Sequence, residues 1–166
     1  MSRFTRYRVP LGFLCAAIAL ALARPTMTSW WRGAMVCVIG ELVRVWAAGH
    51  LQKGREITRS GPYRFFRHPL YLGSTIIGVG FALAANSLPV AVLTISYLSM
   101  TLGLAIWAEE TALDEKFSGA YSDYRAGRGA RVERPFTWAR AMANREYRAV
   151  VGLIVVFAFL FLKMSV

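Results

Sequence analysis

Residues 69–108 read PLYLGSTIIGVGFALAANSLPVAVLTISYLSMTLGLAIWA, forty positions without a charge, with Arg67-His68 on one side and Glu109-Glu110 on the other. A single helix needs only ~20 apolar residues to cross a bilayer, so this run is about twice a span. Its middle, Asn86-Ser87-Leu88-Pro89, is turn chemistry. The run therefore reads as two membrane helices folded back on each other. A hairpin returns to the side it left, so the Arg-His pair and the Glu pair are expected at one membrane face.

Working outward, the rest of the chain agrees with a membrane setting. Of its 166 residues 56% are hydrophobic, and 20 Lys and Arg stand against 9 Asp and Glu, a formal net charge of +11. A basic, apolar chain suits either nucleic acid or a membrane. The apolar runs decide for the membrane, because a soluble domain of this size cannot hide them. The basic excess then serves topology and attraction to anionic headgroups, and no nucleic-acid partner is expected. Cys15 and Cys37 both fall in apolar segments without metal-ligand spacing, so neither a disulfide nor a metal site is expected.

Upstream, an uncharged run lies between Arg8 and Arg24, giving a first span at about 9–23 whose flanking arginines can snorkel. The rival reading is a signal peptide, with Arg3, Arg6 and Arg8 as its basic region and Ala21-Leu22-Ala23 as a small-residue cleavage site. The further spans that follow favour the helix. A second span covers about 30–51, opening on the interfacial pair Trp30-Trp31. Glu41 and Arg44 lie three apart inside it, on one helical face. Charged groups at that depth point into a bundle, either as a structural ion pair or with Arg44 facing a polar cavity. The hairpin supplies spans at about 70–85 and 88–108. Small residues Gly73, Ser74, Gly78 and Gly80 suit close packing of the first of these. After a polar segment from Glu109 to Arg148, a last apolar run at about 147–163 is either a fifth span or a partly inserted helix. The expected fold is thus an all-α integral membrane protein of about five transmembrane helices, forming one domain over residues 1–166.

Orientation follows from counting Lys and Arg. The amino end carries three, residues 52–67 carry five, and residues 109–148 carry eight, together 16 of the 20. The positive-inside rule makes this the cytoplasmic side, with the N-terminus cytoplasmic. Every candidate functional group shares that side. His68 and Tyr71 are three apart, with Gly73 after them, at a helix start whose N–H groups and dipole suit a carboxylate. The neighbouring carboxylates of Glu109 and Glu110 suit an ammonium or a sulfonium. The pattern fits a pocket for a zwitterionic ligand with an amino acid end. For any one of these residues the plain alternative is an interfacial or belt position.

The string GPYRFFRHPLYLG over residues 61–73, followed after one hairpin by Glu109-Glu110 and then Leu113, Phe117, Tyr121 and Tyr124, resembles the isoprenylcysteine carboxyl methyltransferases, a family of integral membrane enzymes. It is similar, more distantly, to the phospholipid methyltransferases. The likeness covers roughly residues 41–125, and residues 44–51 fit the bacterial members, which places the chain in a bacterial inner membrane. The resemblance implies S-adenosylmethionine as methyl donor and S-adenosylhomocysteine as product. It assigns Tyr63, His68, Pro69, Leu70, Tyr71 and Gly73 to the cofactor, with Glu109 on its amino group, and Arg55, Ile57 and Thr58 in a second contacting stretch. Arg44, Arg67 and Glu110 are the candidate catalytic residues. The acceptor is then a lipid entering sideways from the bilayer, an isoprenylcysteine-type carboxylate or another membrane lipid group. One departure bears on it. Where family members that methylate a prenylcysteine place an Arg one turn before the Glu pair, this chain has Ala105. Arg44 or Arg67 would have to replace that cation, or the acceptor is a lipid amine or hydroxyl. Three other readings stand beside this one: a phospholipid or amine N-methyltransferase, an NADPH-dependent relative of sterol reductases, and a non-catalytic membrane protein.

Overall fold

The computed structural model describes residues 3–52, 56–117, 123, 124, 126 and 133–165, with side chains from Pro10 onward. Among these residues every regular element is helical. Five long helices are α1 (Arg3–Leu22), α2 (Met27–His50), α3 (Pro69–Ala85), α4 (Leu88–Lys116) and, after the short α5 (Trp138–Ala143), α6 (Tyr147–Lys163). A 3-10 turn, Gly61–Arg64, precedes α3.

Their boundaries follow local chemistry. Thr26 caps α2 in a reciprocal capping box with Ser29. Pro69 and Pro89 each sit in the first turn of a helix, where the missing N–H costs nothing. Asn86 closes α3 in the left-handed conformation, φ 48° and ψ 44°, which Asn tolerates better than most residues. The hairpin expected between residues 85 and 88 is therefore present, with its turn at Asn86 and Ser87.

Two differences from the sequence reading concern length. That reading gives five spans, whereas two helices, α2 and α4, are long and apolar enough to cross a membrane. The apolar part of α1, Pro10–Leu22, reaches only about 20 Å at ~1.5 Å per residue. The 17 residues of α3 and of α6 lie at the lower edge of the ~17–25 that a spanning helix needs. The second difference is that α4 does not stop at Ala108. It runs on through Lys116, because Glu109 to Lys116 holds good helix formers and no breaker. Glu109 and Glu110 thus stand within a helix rather than opening a polar loop.

The helices alternate in direction. At one end, Arg24 N–H donates to the Ala85 carbonyl at 2.7 Å, and Lys163 Nζ donates to the Leu20 and Ala21 carbonyls at 2.8 and 2.7 Å. At the other end, Asn144 Nδ2 donates to the Ala48 and Leu51 carbonyls at 2.8 and 3.0 Å. The tightest seam is α2 against α3. Gly33 faces Gly80 and Gly40 faces Gly73, so two pairs of glycines seven residues apart bring the backbones together. A Cβ on Gly80 would lie 2.8 Å from the Gly33 carbonyl oxygen, and one on Gly40 would lie 2.8 Å from that of Gly73. Small buried residues fill this seam and its surroundings: Cys37, Ala47, Ala84 and Ala85. Large apolar side chains instead face outward, among them Phe13, Leu88, Ile95 and Trp107. Of the 29 residues of α4 only Val90 and Thr101 are buried. This is the inverse of a water-soluble bundle, and it suits a lipid surround.

Candidate functional site

The site is built where the 3-10 turn feeds α3. Gly61 has φ +57°, a conformation that favours glycine, and a Cβ there would lie 2.6 Å from the His50 ring. This bend delivers Tyr63 into the interior, at 8% exposure, and His68 to the start of α3. Across from it, one face of α4 presents Glu109 and Glu110. His68 Nε2 lies 3.0 Å from Glu110 Oε1, and its Nδ1 lies 4.0 Å from Glu109 Oε2. Arg67 Nη1 donates to Glu110 Oε1 at 3.3 Å. The hairpin therefore brings the Arg-His pair and the Glu pair into direct contact.

Two cavities meet at His68. The first is small, about 60 Å³, and mixes charged and apolar groups: it is lined by Ile57, Thr58, Tyr63, Arg67, His68 and Glu109 with Tyr124 and Leu113. The second is a groove of about 460 Å³ between α3 and α4. It starts at His68 and Tyr71 and runs along Leu72, Val79, Ile95, Leu98 and Ile106. Apart from its mouth it is apolar, and it lies on the outward side of the hairpin, where Val79 and Ile95 are exposed. His68 is thus shared by a pocket that carries charged side chains and by the head of an apolar groove.

A strap covers the small cavity. Gln52 N–H donates to Thr58 Oγ1 at 3.2 Å, and Tyr124 OH donates to the Tyr63 carbonyl at 2.9 Å. The Arg59 guanidinium lies 5.7 Å from the Tyr124 ring centroid. Arg134 grips Glu56 with both terminal nitrogens, Nη1 to Oε1 and Nη2 to Oε2 at 3.0 Å. Burial pushes the Tyr63 phenol well above its ordinary value, and the nearby Glu109 carboxylate adds to that. Burial also raises Tyr124, against the opposing pull of Arg67 and Arg59. Both phenols are therefore neutral donors at physiological pH.

The expected site residues divide. Ile57, Thr58, Tyr63, Arg67, His68 and Glu109 line the small cavity. Tyr71 lines the groove, its ring 5.7 Å from that of His68. Glu110 bonds His68 and Arg67. Pro69 and Gly73 are buried and Leu70 half-buried, away from both cavities; a Cβ on Gly73 would meet Arg44 Cγ at 2.5 Å. The helix start also offers less to an anion than expected. Pro69 has no N–H, and the Tyr71 and Leu72 amides donate to the His68 carbonyl at 3.1 and 3.0 Å. Arg44 lies deeper in the bundle, with Nε donating to Glu146 Oε1 at 2.6 Å and Nη1 to Ser74 Oγ at 2.5 Å. The ion pair expected between Arg44 and Glu41 is present but long, at 3.8 Å, and the tighter partner is Glu146; the cavity that Arg44 lines is mostly apolar rather than the polar one expected. Arg55 lies outside the described residues.

Sequence reasoning missed Glu146 and the Glu56–Arg134 clamp. Both join segments far apart in the chain, 102 and 78 residues, and no local pattern announces such partners. Tyr124 was singled out by the resemblance, without a role; the structure gives it one, as a lid on Tyr63.

Comparison with known proteins fits this arrangement. The profile of the phospholipid methyltransferase family matches residues 11–120, which include α2, the His68 turn, the hairpin and the Glu pair. A relative is the nickel-cobalt-cadmium resistance protein NccN of Alcaligenes xylosoxydans xylosoxydans, 24% identical over 135 residues. That alignment covers 74% of this chain but 63% of the relative, so the chain spans less than two thirds of that protein's length. No solved structure matches the chain. Since the family profile covers well over half of the sequence and includes the residues that meet at His68, the chain belongs to the phospholipid methyltransferase family.

Proposed function

We propose that the chain is a membrane-embedded methyltransferase that carries a methyl group from S-adenosylmethionine to a lipidic acceptor. The observation that carries this reading is the double role of His68, which lines both the small cavity with its charged side chains and the apolar groove. A water-soluble donor and a lipid-soluble acceptor need such a meeting point. Family membership supports methyl transfer over nicotinamide-dependent reduction and over a non-catalytic role.

The residues around the cavity fit the donor in chemistry. Glu109, 43% exposed at its side chain, offers a carboxylate to an ammonium or a sulfonium. Arg67 and His68 offer positive charge or N–H donors to a carboxylate, and Tyr63 and Tyr124 supply flat apolar faces. The volume of about 60 Å³ is well below the ~300–1,000 Å³ typical of small-molecule sites, so in this reading residues 56–60 and Tyr124 move outward on binding. S-adenosylmethionine supplies an electrophilic methyl group on sulfonium. The chain's part is to align the partners and exclude water, since methyl transfer from a sulfonium needs little acid–base help.

The acceptor in this reading is a lipid amine or hydroxyl rather than a carboxylate. Ala105 offers no cation, Arg44 is committed to Glu146 and Ser74, and Arg67, at the small cavity, is taken in this reading by the donor's carboxylate. The acceptor chain lies in the α3–α4 groove, entering from the bilayer. We place all five long helices in the membrane, the shorter ones aided by snorkelling side chains at their ends. The N-terminus and the His68 site are then on the cytoplasmic face of a bacterial inner membrane.

The test is incubation of the solubilised protein with native lipids and methyl-deuterated S-adenosylmethionine, read by mass spectrometry. A mass shift in extracted lipid, stable to base, is expected. A base-labile product would identify a carboxyl ester and overturn the amine or hydroxyl assignment. Binding of NADPH with no response to the methyl donor would overturn methyl transfer itself.

A further inference from the structure

A third cavity, of about 430 Å³, opens between the helices and is lined by α1, α2, α3, α4 and α6. Most of its wall is apolar, including Ala16, Phe81, Leu93, Leu153 and Val156. At one end stand Glu41 and Arg44. Glu41 is 92% buried by its 8% exposure, and neither of its carboxylate oxygens has a hydrogen-bond partner. Arg44 does not satisfy it. The guanidinium spends Nε on Glu146 at 2.6 Å and Nη1 on Ser74 at 2.5 Å, and passes Glu41 at 3.8 Å without a hydrogen bond. Two buried carboxylates thus share one cation among the described residues. One carboxyl group, with both oxygens lacking a hydrogen-bond partner, is left over at the wall of a cavity, and a buried polar group without a partner is costly.

We propose that this cavity binds a small hydrophobic amine, its ammonium against Glu41 and its hydrocarbon body along the apolar wall. The unpartnered Glu41 oxygens select the ligand. An anion would meet a second negative charge, and a neutral apolar molecule would leave both Glu41 oxygens unpartnered. An ammonium supplies both the missing charge and the missing donors. The volume is toward the small end of the ~300–1,000 Å³ typical of small-molecule sites, which suits one compact amine rather than a two-chain lipid. The cavity shares no lining residue with the small pocket at His68 and backs onto the α3–α4 groove only at Gly78 and Leu98, and its ligand is independent of the methyl-transfer reading.

The experiment is calorimetric titration of the full chain in detergent with 4-phenylbutylamine, 4-phenylbutanol and 4-phenylbutyrate, three probes that differ only in the head group. Saturable binding of one amine per chain is expected, with the alcohol much weaker and the carboxylate absent. Glu41→Gln should weaken the amine at least tenfold and leave the alcohol unchanged. Gly152 lines the same cavity, and a Cβ there meets nothing within 4 Å, so Gly152→Leu should fill the space without disturbing the fold and abolish amine binding. Lack of saturable amine binding to the wild-type chain would overturn the proposal. So would equal affinity of amine and alcohol, or amine binding that survives either substitution in protein with unchanged helical circular dichroism.

Discussion

His68 holds its place by contacts on both ring nitrogens, with Glu110 at 3.0 Å on one and Glu109 at 4.0 Å on the other. The two carboxylates are not equivalent. Glu110 is the anchor that orients the ring and Arg67, while Glu109 is more exposed and faces the small cavity. Glu109→Gln should therefore weaken S-adenosylmethionine about 10- to 100-fold, the ~1.5–3 kcal/mol typical of a hydrogen bond to a charged group. His68→Ala should weaken it at least as much; calorimetric titration of each variant is the check, and unchanged affinity in both would remove the donor from this cavity. Tyr63 yields a pH prediction of definite sign. Its folded-state phenol titrates above its unfolded value, because burial and the Glu109 carboxylate disfavour phenolate. The unfolded chain releases that proton first, from about pH 10 upward, so stability is level through neutral pH and falls in the alkaline range. Thermal unfolding followed from pH 7 to 11 should show this loss, and Tyr63→Phe should reduce it.

At the scale of the element, the α2–α3 seam and the α3–α4 seam are built on opposite plans. In the first, glycines meet backbone; in the second, the Leu98 side chain packs onto Gly78, and a groove remains beside it. Gly80→Leu puts side-chain atoms where the Gly33 carbonyl and Cys37 already stand, and should cost about 1–3 kcal/mol or more through overpacking. Gly103 on α4 is the control. A Cβ there meets nothing within 4 Å, so Gly103→Ala should be neutral or gain up to about 1 kcal/mol of helix propensity. Thermal unfolding in detergent distinguishes them, and equal effects at the two sites would contradict the packing described. Much of this level was legible in the sequence. The uncharged run fixes a hairpin, Asn86 and Pro89 mark its turn, and the return of the chain forces Arg67-His68 toward Glu109-Glu110. The end of α4 was not legible, because a change from apolar to charged residues marks a membrane boundary but does not stop a helix. Gly73 carries two readings in the sequence, close helix packing and a cofactor contact, and the structure uses it for the first, against Gly40 and Arg44.

For the whole molecule, alternating helix direction assigns opposite ends to the loop at Phe65 and the turn before Leu88, both strongly exposed at 71% and 77%. Single cysteines at these positions, with Cys15 and Cys37 replaced by Ala, should react with an impermeant maleimide from opposite faces of sealed vesicles. Phe65→Cys should label from the cytoplasmic face and Leu88→Cys from the other; labelling of both from one face would contradict the proposed arrangement. The long-range pairs that complete the molecule, Arg44 with Glu146 and Glu56 with Arg134, lay beyond sequence reasoning, since spacing along the chain says nothing of partners a hundred residues away.

The paired glycines of α2 and α3 have a mechanical consequence. Two rods welded along their spines behave as a single plank, and prising them apart would expose carbonyls and amides with nothing to replace their close neighbours. Breathing is left to α4, which leans on that plank through side chains alone. The plank is the door frame and α4 the door, so a stiffening cross-link between α3 and α4 should slow the passage of a greasy guest, while one between α2 and α3 should leave traffic as it was.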